Sequence, residues 1–134
     1  RNFIRVLIMP YLRHIIHEAH ARNIKTALCS FAAPRRSLLS WQEYAYFNYL
    51  TLRDWGGSYV TFDSYLRILD IYNGELKKLC DDEGSLYIPV AENLQGGASL
   101  FGDICHLREK GIMLKSQIVA DALIPQIETE FVDR

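Results

Sequence analysis

The sequence predicts a layered α/β fold, and three observations carry that expectation. Two short apolar runs, residues 24–31 (IKTALCSF) and 86–90 (LYIPV), have the length and side-chain character of buried strands. Around them lie segments whose apolar residues recur every three or four positions, the spacing of a helix with one buried face. A helix runs closely into the first strand, which is the order of an αβ unit in a parallel sheet. The expected order is helix, strand, helix, helix, strand, helix, giving about two parallel strands and four helices.

The first helix is expected over residues 2–23, with Ile4, Ile8, Tyr11, Ile15 and Ala19 as its buried stripe. Pro10 either kinks it or marks its first turn, because proline has no N–H to give at an interior position. His17-Glu18-Ala19-His20 looks like a shortened zinc-protease motif, with His14 nearby. That motif needs histidines four apart on one face, and these are three apart. Rotation by about 100° per residue puts them beside Arg13 on the polar side, so no metal site is expected. Asn23 fits the helix stop, and Ala32, Ala33 and Pro34 end the strand that follows.

Arg35-Arg36 can meet an anionic substrate group, although adjacent arginines are common on any surface. Ser40 is a candidate N-cap for a helix over residues 41–53, ended by Gly56-Gly57. Seven of the chain's sixteen aromatic residues fall between Trp41 and Tyr59, too dispersed around a helix for all to face inward. Core packing and the wall of a substrate pocket are the two readings, with Trp41 and Tyr46 as the candidate wall. Thr61 or Asp63 can cap a third helix over residues 62–82, whose buried stripe is Phe62, Leu66, Leu69, Tyr72, Leu76 and Leu79. Gly84 supplies its stop. Pro89 cannot donate to a central ladder, so the strand at 86–90 is short or lies at an edge.

At 134 residues, 49% hydrophobic and 23% charged, the chain is at most one domain of ordinary globular composition. Its net charge of −1 comes from 15 basic and 16 acidic side chains spread along the chain, which excludes a polybasic footprint for nucleic acid or anionic lipid. No apolar run reaches the length of a membrane span, and no signal peptide is visible. Cys29, Cys80 and Cys105 have no metal-ligand spacing, and an odd count argues against a complete disulfide framework. Cys29 and Cys80 are expected to be buried as small hydrophobes. Cys105 is expected to point away from the histidine beside it, which argues against a cysteine nucleophile.

Asp103 and His106 stand three apart at the mouth of the last helix, after a loop over residues 91–102 that contains Gly96-Gly97. A tight turn of that length brings both side chains to one side. The carboxylate can then accept the imidazole Nδ1–H and leave Nε2 facing outward, which is the base half of a serine-hydrolase triad. The plainer alternative makes Asp103 a helix cap and His106 an exposed first-turn residue. Leu107 and Gly111 follow the pair, and a helix closes the chain. In this arrangement the chain resembles the C-terminal block of the SGNH hydrolases, also called GDSL-type lipases and esterases. Their pattern runs Asp-x-x-His, an apolar residue, a glycine a few positions on, and a helix. Tyr72-Asn73 followed by Leu76 and Leu79 is similar to that family's penultimate helix.

The resemblance implies a three-layer α/β/α, flavodoxin-like SGNH hydrolase fold, of which residues 1–134 are the C-terminal part of a single domain. It implies an ester hydrolase with a Ser-His-Asp triad, acting on carboxylic, acyl or acetyl esters of small molecules, sugars or lipids. His106 would be the general base and Asp103 would fix its tautomer. No metal or organic cofactor is implied. The family's Gly-Asp-Ser nucleophile block and its Gly-x-Asn-Asp block are not found: Gly-Asp occurs only as Gly102-Asp103, and Gly-Ser only as Gly57-Ser58 and Gly84-Ser85. The nucleophile is therefore expected outside these residues, in a longer polypeptide. The rival expectation is a non-catalytic binding domain, with the Asp103–His106 pair as a helix cap and the aromatics from Trp41 to Trp55 as a contact surface.

Overall fold

The computed structural model of the protein describes residues 3–52 and 59–132. Within them lie five α-helices and two strands: α1 (Met9–His20), β1 (Ala27–Cys29), α2 (Trp41–Thr51), α3 (Phe62–Glu83), β2 (Leu86–Ile88), α4 (Val90–Asn93) and α5 (Glu109–Val132). β1 and β2 pair in parallel, with Ala27 opposite Leu86, Leu28 opposite Tyr87 and Cys29 opposite Ile88. The mixed α/β class and the parallel pair are as expected. The additional helix is α4, a single turn that Pro89 opens inside the expected strand and loop. The expected stop at Gly56-Gly57, together with Trp55 and Ser58, lies outside the described residues. Among the described residues no helix is long and apolar enough to cross a membrane.

The stripe of α1 differs from expectation by one residue, and the cause is local. Residues Ile4–Ile8 form a π-helical turn in which the Met9 N–H donates to the Ile4 carbonyl. A π-turn holds one residue more than an α-turn, so every position after it is rotated by about 100° relative to a continuous helix. The buried positions become Ile4, Met9 and Ile16, with Leu12 partly buried, while Tyr11 and Ile15 are exposed. Pro10 sits in the first turn of α1, where its missing N–H costs nothing. Asn23 ends the helix in a left-handed conformation, φ 56°. His17 and Arg13 both pair with Glu83 at 2.6 Å on the exposed face, and His20 Nε2 lies 3.2 Å from Thr26 Oγ1.

Side-chain caps start α2 and α3. Ser40 and Glu43 form a reciprocal capping box at α2, the Ser40 N–H donating to Glu43 Oε2 at 2.8 Å and the Glu43 N–H to Ser40 Oγ at 3.3 Å. Thr61 Oγ1 accepts the Ser64 N–H at α3, and Gly84 closes that helix at φ 66°. Two apolar clusters result. One joins α1 to α3 and β1 through Ile4, Met9, Ile16, Leu79 and Leu28. The other gathers Phe47 of α2, Phe62 of α3, Ile88 of β2 and Leu94, Leu100, Phe101 and Ile104 of the following loop, with α5 packed against it. Phe47 and Phe62 stack with ring centroids 5.6 Å apart.

Cys80 is buried as expected, but Cys29 is exposed. Side chains alternate across a strand: Leu28 faces the α1–α3 cluster, and Ala27 and Cys29 face the other way. On that side α5 lies against β2, and Ala27 and Cys29 remain uncovered.

Gly84 separates backbone strain from packing, because a Cβ built there meets nothing within 4 Å. Gly84→Ala is expected to destabilise the fold by about 1–2 kcal/mol, the cost of a left-handed non-glycine residue. Urea unfolding measures it, and Gly74→Ala in the same helix, also with open space around its Cβ, serves as the control expected to stabilise.

Candidate active site

After β2 and α4 the chain turns back on itself around Phe101, which is fully buried. Phe101 and Leu107 form an antiparallel bridge, the Gly102 N–H donates to the His106 carbonyl at 2.8 Å, and the Arg108 N–H donates to the Leu100 carbonyl at 2.8 Å. Residues 102–106 are thereby closed into a short loop. Asp103 organises it: Oδ1 accepts the backbone N–H of Cys105 at 2.9 Å and of His106 at 2.7 Å, and Oδ2 lies 2.7 Å from His106 Nδ1. The pair thus meets as the spacing predicted, although not at a helix mouth. α5 begins only at Glu109, so Asp103 caps its own turn and the helix-cap reading of the pair fails.

The charge state follows from these contacts. Partial burial works to raise the Asp103 carboxyl, but the N–H groups of Cys105 and His106 and the adjacent imidazole outweigh it and hold the carboxyl at about 2. An ionised carboxylate only accepts hydrogen bonds, so Nδ1 must carry the proton it shares with Oδ2. In the neutral ring Nε2 is then the bare nitrogen. The His106 side chain is 81% exposed, and Nε2 bonds to none of the described residues.

Cys105 does not point away as expected: its Sγ lies 3.5 Å from His106 Nδ1. Burial and the neighbouring Asp103 carboxylate push its thiol up, which makes it a poor nucleophile. Asp103, Cys105 and His106 bring one potential metal-ligand atom each within 4.8 Å of the others. Two light-atom ligands of a tetrahedral zinc stand about 3.3 Å apart. Oδ2 and Nδ1, at 2.7 Å, are spaced for a shared proton.

Long-range contacts hold the loop. Tyr46 of α2 donates its hydroxyl to the Gly102 carbonyl at 3.1 Å, and Tyr65 of α3 donates to the Ile104 carbonyl at 3.2 Å, so the two phenols bracket Asp103. Burial pushes the Tyr65 phenol well above its ordinary value, which keeps it a donor. Arg108 Nε reaches the carbonyls of Ala98 and Phe101 at 2.8 and 3.2 Å. At the strand ends the buried Ser30 hydroxyl donates to Glu92 Oε2 at 2.7 Å and accepts the Ala91 N–H at 2.8 Å, pinning α4 to β1. Tyr46 therefore touches the loop, whereas Trp41 is 79% exposed and has no hydrogen bond or ring contact among the described residues. Tyr65, Ser30 and Glu92 carried no sequence signal. Among the described residues no serine bonds to His106.

No protein-family model matches the chain, and no match is found among curated proteins.

Gly111 lets the first turn of α5 approach this loop. A Cβ there would stand 2.4 Å from the Leu100 carbonyl oxygen and 3.1 Å from Leu107 Cδ2. Gly→Ala in a helix is ordinarily favourable by about 1 kcal/mol. Gly111→Ala is instead expected to destabilise by about 1–3 kcal/mol, the cost of overpacking, because the obstructing atom is backbone that already accepts the Arg108 N–H. Urea unfolding of the variant tests this, and a gain in stability would contradict the close approach.

Proposed function

We propose that this chain carries the acid/base half of a serine-dependent ester hydrolase of the SGNH type. One observation supports the reading above all: Oδ2 of an ionised Asp103 lies 2.7 Å from His106 Nδ1, on a ring whose Nε2 faces outward. An Nε2 so placed can take the proton of an attacking hydroxyl and return it to the leaving alcohol. Asp103 holds the ring in that tautomer and stabilises the imidazolium between the two steps. The step needs no metal and no organic cofactor.

The nucleophile and the oxyanion donors belong to a polypeptide outside these residues, and the edge of β1 away from β2, unpaired among the described residues, is where a further parallel strand would add. The substrates are esters of small molecules, sugars or lipids. Of the two aromatics considered for the substrate wall, Tyr46 is retained, because its half-exposed ring stands at the loop that bears the pair. No observation ties Trp41 to it.

The reading is tested in the polypeptide that carries both the nucleophile and this chain, with an aryl acetate as substrate. His106→Ala is expected to lower kcat by several orders of magnitude. Asp103→Asn should lower it by about 10⁴, the loss that removal of tautomer control causes in another triad enzyme. Cys105→Ala costs little. Near-normal turnover by a folded His106→Ala variant would overturn the assignment.

A further inference from the structure

A cleft of about 410 Å³ opens beyond the carboxyl end of β1, between the segment that follows the strand and one face of α3. No residue of the 102–106 loop lines it. In open α/β sheets the crevice outside the carboxyl ends of the strands is where ligands bind, and this volume lies within the range of small-molecule sites. The floor is apolar, from Pro34, Leu66 and Leu69, and the walls carry Arg35, Arg36, Lys77, Asp70 and Glu92.

The partners of these polar groups show which remain for a ligand. Glu92 is engaged: its two oxygens accept the Ser30 hydroxyl at 2.7 Å and the Tyr87 hydroxyl at 2.6 Å. The amide of Asn73 is engaged at both ends, accepting the Phe31 N–H at 2.8 Å and donating to the Phe31 carbonyl at 3.0 Å, which locks the cleft's two walls together. The Arg36 guanidinium lies 3.8 Å from the centre of the Tyr44 ring and 3.9 Å from Asp63, so it is held in place with its charge partly met. Arg35, Lys77 and Asp70 remain: none has a side-chain hydrogen bond or ion pair among the described residues. The Lys77 charge helps to keep Glu92 ionised, so Arg35 is the cation with no charged partner among the described residues; Lys77 and Arg36 stand with it around the apolar floor, together with the Asp70 carboxylate.

We propose that this cleft is a second ligand site, for a sugar that bears a phosphate or a carboxylate. The anion lies between Arg35 and Lys77, a ring hydroxyl donates to Asp70, and the apolar face of the ring rests on Pro34 and Leu66. The backbone link from the Arg35 N–H to the Gly96 carbonyl, 2.9 Å, joins this wall to the loop that leads to Asp103. Binding here is independent of the chemistry proposed for His106.

Calorimetric titration of the 134-residue chain with glucose 6-phosphate, glucuronate, glucose and inorganic phosphate tests the site. Saturable binding is expected for at least one of the two acidic sugars, and which one binds identifies the anion. Neutral glucose does not saturate. Arg35→Gln and Lys77→Gln each weaken binding about tenfold, the equivalent of about 1.4 kcal/mol for one charge-assisted contact. Asp70→Asn weakens the acidic sugar more than inorganic phosphate, and His106→Ala changes nothing. All three substituted charges are exposed, so the fold is not at stake. Failure of both acidic sugars to saturate, wild-type affinity in the Arg35 and Lys77 variants, or inorganic phosphate binding as tightly as glucose 6-phosphate would each overturn the proposal.

Discussion

Closure of the loop over residues 102–106 by the backbone pairing of Phe101 with Leu107 is the constraint on which the rest of the site depends. A loop this short has few conformations, and the buried Phe101 ring anchors one side of its base in the core. Within it a single carboxylate serves two purposes. Oδ1 holds the backbone turn through two N–H groups, and Oδ2 holds the imidazole. The orientation of His106 is therefore coupled to the conformation of the chain that carries it, and little side-chain entropy is left to lose when a reacting group arrives.

The surrounding elements make that loop rigid from three directions. The aromatic cluster of α2 and α3 presents Tyr46 and Tyr65 to the carbonyls on either side of Asp103. The first turn of α5 closes in at Gly111, where only a glycine fits against the Leu100 carbonyl. The Ser30–Glu92 contact fixes the start of the segment that leads from β2 to the loop. Glu92 keeps its charge there: burial opposes ionisation, but the hydroxyls of Tyr87 and Ser30 hold its carboxyl below the usual range. These contacts join positions far apart in the chain, so the site is a product of the tertiary fold.

What was legible in the sequence was local. The Ser40 and Thr61 caps and the left-handed stops at Asn23 and Gly84 each depend on neighbours within a few residues, and each stands where spacing placed it; of the α3 stripe Phe62, Leu76 and Leu79 are buried, while Leu66, Leu69 and Tyr72 are half-buried. The stripe of α1 was displaced because a π-turn changes the period without a sequence mark of its own. Cys29 is exposed although its apolar neighbours suggest burial, because burial of a strand side chain depends on what covers that face. Asp103 and His106 were found from their spacing, yet the turn that joins them is closed by backbone pairing rather than by a helix. The ring marks Tyr46 in the sequence, but its contact with the loop is made by its hydroxyl. Its partner lies 56 residues away, and that of Tyr65 lies 39 away, separations at which periodicity carries no information.

The central claim is that Asp103 fixes the proton of a neutral His106 on Nδ1 and leaves Nε2 bare. Long-range ¹H–¹⁵N correlation spectra of the imidazole, recorded above the pH at which the ring is protonated, read this directly. The account predicts one dominant tautomer with Nδ1 protonated, and a mixture of tautomers once Asp103 is replaced by Asn. A ring that carries its proton mainly on Nε2 in the unmodified chain would contradict it.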